Sequence, residues 1–173
     1  YGSIARHVFD DAGIPFFVDE KHSVLMNPFV EYLRAALEMV VQGFSYESVF
    51  RYLRCGMSDI SRHETDLLEN YVIALGIRGF QKWKEKWVRI YRDMDPASVM
   101  EINQIREQFT EEVGDFAEGF SGRKKTIKEY SKCLYEFIVK SHVQEKLKQQ
   151  ELIFKNQGDR AMEKEYAQIY GIV

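Results

Sequence analysis

Two dipeptides, Asn27-Pro28 and Asp95-Pro96, and two boxes, Ser61-Arg62-His63-Glu64 and Thr126-Ile127-Lys128-Glu129, constrain this chain most. In each dipeptide a side-chain oxygen caps free backbone N–H groups, and proline, which lacks one, fills the first helical position. In each box a hydroxyl and a carboxylate reach back reciprocally to orphan N–H groups. Glycine supplies the left-handed exit that other residues resist, so Gly13, Gly43, Gly56 and Gly76 mark helix ends. A chain punctuated this way is a set of helices, and any strand must fit between them.

Between these marks apolar residues recur at three- and four-residue steps. Ile4, Val8 and Phe9 share a first helix, and Phe29, Leu33, Ala36, Leu37 and Val40 a second. Ser45 opens a third through Val49, Phe50 and Leu53, and Ser61 a fourth through Leu67, Leu68, Tyr71, Val72 and Leu75. A glycine-rich joint, GIRGF, leads into the short segment QKWKEKWVRIYR. Asp95 begins a long helix through Val99, Ile102, Ile105, Phe109, Val113 and Phe116. Thr126 opens a helix expected to carry Ile127, Tyr130, Leu134, Phe137, Ile138 and Leu147 on one face. After Gly158-Asp159, Met162, Tyr166, Ile169 and Tyr170 define a last helix. Pro15 and the aromatic, β-branched run Phe16–Val18 interrupt this series with a strand-like segment. The expected fold is mainly α, a multi-helix domain with one short strand-like segment near the N-terminus.

Composition narrows the function. The chain has 173 residues, 45% of them hydrophobic and a net charge of −3, which fits a folded domain without a global basic field. Contact with nucleic acid must therefore come from local patches. Cys55 and Cys133 are far apart and lack CxxC spacing, so neither a zinc site nor a disulfide framework is indicated. A reducing, cytoplasmic setting is the expectation. No apolar run approaches the roughly 18 residues of a membrane span. The chain opens on Tyr1 rather than Met, which suggests an excised piece of a longer protein.

Catalytic motifs are approached and missed. Gly114 and Gly119 have the spacing of a phosphate-binding loop, but Phe120 and Ser121 follow, and both glycines belong to a long amphipathic helix. His63-Glu64-Thr65-Asp66 begins like a zinc-protease helix, yet Leu67 stands where the second His is needed. Asp19 in VDEK and Asp159 in GDRAMEK sit in strings like those of metal-dependent nucleases, where carboxylates hold Mg²⁺. Asp159 is equally a natural N-cap. His7, His22, His63 and His142 share no ligand spacing. No catalytic, cofactor-binding or metal-binding residue is assigned.

Basic residues give the candidate contacts. Lys82, Lys84, Lys86 and Arg89 surround Trp83 and Trp87, cations beside flat rings that suit phosphate contact and base stacking. The competing reading puts both tryptophans, four apart on one helical face, into the core with the lysines solvated. Arg123, Lys124 and Lys125 form a second basic group on a turn.

The opening stretch YGSIARHVFDDAGIPFFVDEKHSVLMNPFVEYLRAALEMV resembles a passage in superfamily 1 helicases of the UvrD/PcrA/RecB type. There a helix leads to Gly-Ile-Pro-aromatic, a short strand, and a helix entering an inserted helical domain. IPFFVDEK…NPFVEYLRAAL, SDISRHETDLLENYVIALGIRGFQKW and EKEYAQIYGIV are similar to the AddB family, the B subunit of a bacterial ATP-dependent helicase/nuclease. The resemblance implies that residues 1–26 are a remnant of a motor-like domain and 27–173 an inserted, 2B-like helical domain. It also implies a parent that uses ATP, Mg²⁺ and a 4Fe–4S cluster, partners an A subunit, and resects double-stranded DNA breaks for recombination. Cys55 and Cys133 do not match the cluster's pattern, so this segment is expected to be scaffold or DNA-guiding surface. The alternatives are a stand-alone helical protein-interaction domain and a small hydrolase built on Asp19 or Asp159.

Overall fold

The computed structural model describes residues 2–16, 23–91, 94–122 and 125–173. Its helices, in chain order, are α1 (Gly2–Asp11), α2 (Pro28–Val41), α3 (Tyr46–Leu53), α4 (Arg62–Leu75), α5 (Phe80–Lys84), α6 (Pro96–Phe120), α7 (Ile127–Lys140), α8 (Val143–Gln157) and α9 (Arg160–Ile172). Among the described residues there is no strand, so the chain is mainly α as expected. Of the strand-like segment, Phe17 and Val18 lie outside the described residues. Phe16 is not helical, and its ring sits 5.3 Å from that of Phe9 on α1.

The capping signals act as the sequence indicates. Asn27 accepts from Phe29 N–H and Asp95 from Ser98 N–H, with proline next in both cases. Both boxes close reciprocally, at Ser61–Glu64 and Thr126–Glu129. These bonds hold the Glu64 and Glu129 carboxyls below the usual carboxylate range, because their charged forms accept them.

α6 is the spine. Its 25 residues, about 37 Å of helix, turn Ile102, Ile105, Phe109, Val113 and Phe116 inward. α4, α5 and α7 pack on it; α2 packs with α3, α3 with α4, α7 with α8, and α8 with α9. The centre is aromatic: Phe137 stacks on Tyr32 (5.4 Å, 9°) and on Phe116 (4.4 Å, 30°). Burying one such ring contributes about 2–3 kcal/mol. α9 returns to the start of α2, where Tyr170 stacks on Phe29 at 6.1 Å and Asn27 Nδ2 donates to Glu165 at 2.7 Å.

One helix expected from the sequence is two. The run from Thr126 towards Leu147 breaks at Ser141 and His142, where His142 takes φ +50°. A non-glycine residue there costs about 1–2 kcal/mol. The break redirects the chain: Val143 and Leu147 become fully buried, and Ser141 Oγ accepts the Tyr32 hydroxyl at 2.8 Å. That bond belongs to a buried polar chain. Tyr32 Oη lies 3.0 Å from Tyr52 Oη, Tyr52 donates to Glu112, and Ser58 donates to the other Glu112 oxygen at 2.8 Å. Burial lifts the Glu112 carboxyl above its usual range, against the lowering effect of the Tyr52 and Ser58 hydroxyls and nearby Lys146.

Candidate nucleic-acid interface

The segment that the sequence leaves least regular carries the charge. α5 lasts only from Phe80 to Lys84, and at Glu85 the backbone becomes extended (φ −75°, ψ 144°). The expectation that Trp83 and Trp87 share one helical face is therefore corrected: Trp83 ends on the helix and Trp87 lies beyond it. Both are buried, at 1% and 7% exposure, so the core-packing reading of the two rings holds and Trp83 presents no face to a base. Trp83 packs on Phe109 (4.7 Å) and Trp87 (5.2 Å). Trp87 also stacks on Tyr71 (5.2 Å, 13°).

Two side chains of α6 hold this extended segment. Asn103 Oδ1 accepts from Trp87 N–H (3.0 Å), and its Nδ2 donates to Trp87 O (2.7 Å) and Val99 O (2.8 Å). The Arg106 guanidinium, 4% exposed, donates to Trp83 O (2.8 Å), Asn103 Oδ1 (3.1 Å) and Glu107 (2.7 Å). A buried charge survives only when so satisfied. From α4, the Tyr71 hydroxyl donates to Arg89 O at 2.6 Å, and burial pushes its pKa up.

Held in this way, the segment forms one wall of a cleft of about 440 Å³ against the end of α4. Arg78, Lys82, Lys86 and Arg89 line it and are exposed. Glu85 is the only carboxylate lining it among the described residues, and it pairs with Lys82 at 2.8 Å. Among the described residues Arg78, Lys86 and Arg89 form no ion pair.

The structure thus brings together three of the cations proposed from sequence, Lys82, Lys86 and Arg89, and adds Arg78. Arg78 stands between Gly76 (φ +62°) and Gly79 (φ +83°), whose left-handed backbones fold the joint back towards α5. Lys84 points elsewhere: it pairs with Glu118 at 2.6 Å and lies 4.9 Å above the Phe80 ring. Lys125 is half-buried and donates to Gly119 O, closing the end of α6. Arg123 and Lys124 lie outside the described residues, as do Asp19 and His22. Asp159 caps α9 by accepting from Met162 N–H at 3.1 Å. Among the described residues no group of three or more His, Cys, Asp or Glu side chains is placed to hold a metal. Burial raises the Cys55 thiol to about 11, far from a reactive thiolate. Among the described residues no helix is long and apolar enough to cross a membrane.

Sequence reasoning missed Asn103, Arg106 and Tyr71, which position the cations. The signal was present in α6, where Asn103 and Arg106 interrupt an apolar stripe three residues apart.

No family model matches the chain. It is 40% identical over 176 residues to the B subunit of the ATP-dependent helicase/deoxyribonuclease of Lachnoclostridium phytofermentans, covering all of this chain and 15% of that protein. The corresponding B subunits of Clostridium novyi and Caldanaerobacter subterraneus subsp. tengcongensis are 36% and 35% identical, again across the whole chain. The chain spans about 15–16% of the length of these curated relatives.

Proposed function

We propose that this chain, related along its whole length to a segment of the B subunit of ATP-dependent helicase/deoxyribonucleases, is a non-catalytic helical module that guides nucleic acid through a basic cleft. The observation that carries the reading is the convergence of Arg78, Lys82, Lys86 and Arg89 in a chain whose net charge is −3. Cations gathered around one cleft raise the local potential even where the whole molecule is slightly acidic, and phosphate affinity follows the local field. The parent's chemistry is ATP-dependent unwinding with degradation of DNA in the cytoplasm, in a complex with an A subunit. ATP, Mg²⁺ and a 4Fe–4S cluster belong to that parent, and this segment serves scaffold and guidance. Residues 1–26 are its link to a motor-like domain and 27–173 the inserted helical domain.

A protein-contact role draws on one observation, the exposed apolar residues Val88 (72%) and Met100 (68%), which line a groove beside the cleft. Binding to short DNA at increasing salt separates the two readings. Affinity should fall steeply with salt, and Lys86→Glu with Arg89→Glu should abolish most of it. DNA binding that is absent, or unchanged by both reversals, overturns the guidance role.

A further inference from the structure

The cleft has cations to spare and no aromatic face to offer. The Tyr71 and Trp87 rings in its wall are stacked on each other, with Tyr91 edge-on to Tyr71 at 6.1 Å and the Arg106 guanidinium 5.9 Å from the Trp87 ring. A base entering here would find these faces already covered, whereas single-strand binders that stack bases keep such faces open. Of the side chains that line the cleft and reach solvent, Arg78, Lys82, Lys86 and Arg89 are donors only, and Val88 is aliphatic and offers no ring. Glu85 stands among them and holds Lys82 at 2.8 Å, with the Lys82 and Glu85 side chains 61% and 57% exposed. An exposed pair of this kind contributes little to stability, so its removal leaves the fold in place.

We propose that this cleft takes the phosphate chain of a nucleic acid and leaves its bases unread, with Glu85 as the internal counter-ion that an incoming phosphate displaces from Lys82. The inference rests on the guidance role above and deepens it. Phosphates contacted without base edges or stacking position a strand but carry no sequence information. Glu85 sets the strength of that contact: it repels the phosphate chain and occupies one of its donors. Grip is thereby weakened, as suits a strand that must move along the surface.

The test uses the full 173-residue chain, a labelled abasic single strand, and thymine and adenine homopolymers of equal length. The three should bind within about twofold of one another, since a stacked base would add about tenfold. Glu85→Gln should tighten all three several-fold, and the slope of log affinity against log salt should steepen by about 0.7, one further phosphate neutralised. Abasic binding weaker by tenfold, with the homopolymers still bound, overturns this inference and leaves the guidance role standing. Glu85→Gln with unchanged affinity and slope overturns the counter-ion. Failure of all three strands to bind overturns both the inference and the role it rests on.

Discussion

Asn103 treats Trp87 as a neighbouring β-strand would, accepting from its N–H at 3.0 Å and donating to its carbonyl at 2.7 Å. The extended wall of the cleft has no sheet to join, and a side-chain amide from α6 supplies the pairing instead. Asn103 is 6% exposed, so the bonds are made away from water. Removing them leaves the Trp87 backbone without those partners. Asn103→Ala should therefore cost about 3 kcal/mol, read as a lower urea midpoint at unchanged slope.

Acidification isolates Glu112. A carboxyl whose folded pKa is raised above its unfolded value costs stability at high pH, and the cost disappears as pH falls through the folded pKa towards the unfolded one. Comparing wild type with Glu112→Gln between pH 7 and the ordinary carboxylate range removes other groups from the difference. The wild type should gain on the variant as pH falls. A difference that stays flat would show that burial does not disfavour the charged carboxylate.

The opposite sign holds at the start of α4. Glu64 is held below its usual range by bonds from Ser61, so its contribution is present above the unfolded pKa and is lost as pH falls through the folded one. Ser61→Ala removes the reciprocal cap and should cost about 1 kcal/mol at neutral pH. The penalty should shrink in acid, as followed by thermal melts at pH 7 and pH 3.

Helix α6 passes α7 closely at Gly119, where an added Cβ would overlap Cys133 Sγ. Gly119→Ala alone should destabilise by about 1–2 kcal/mol through overpacking. In a Cys133→Ala background the same change should instead stabilise by about 1 kcal/mol, the ordinary helix preference of Ala over Gly. The double-mutant cycle measures that reversal of sign.

Much of the fold is legible because its signals are local. Asn27, Ser61, Asp95 and Thr126 announce helix starts through bonds to residues two or three positions on, and a reader needs nothing else. The break at Ser141–His142 was hidden because its causes are distant: the Tyr32 hydroxyl, 109 residues away, and the burial of Val143 and Leu147. The basic cleft was half-visible for the same reason. Lys82, Lys86 and Arg89 are neighbours in sequence, but Arg78 joins them only through the fold of the glycine joint, and Lys84 leaves them because Glu118 stands opposite. Which rings could stack was likewise decided by tertiary packing: the spacing of Trp83 and Trp87 favours a core, and Phe109 and Tyr71, distant in sequence, are what cover them.

Clamping of the Trp87 and Arg89 backbone from α6 and α4 has a kinetic consequence. A cationic loop that had to settle on contact would slow capture and lose about 0.5–1.5 kcal/mol for each side chain it froze. Here the main chain is already bonded to α6 and α4, so in the proposed role only the outer bonds of lysine and arginine remain to be arrested. Capture should consequently run near the diffusive limit set by charge, and release, rather than rearrangement, should govern how fast a strand can travel.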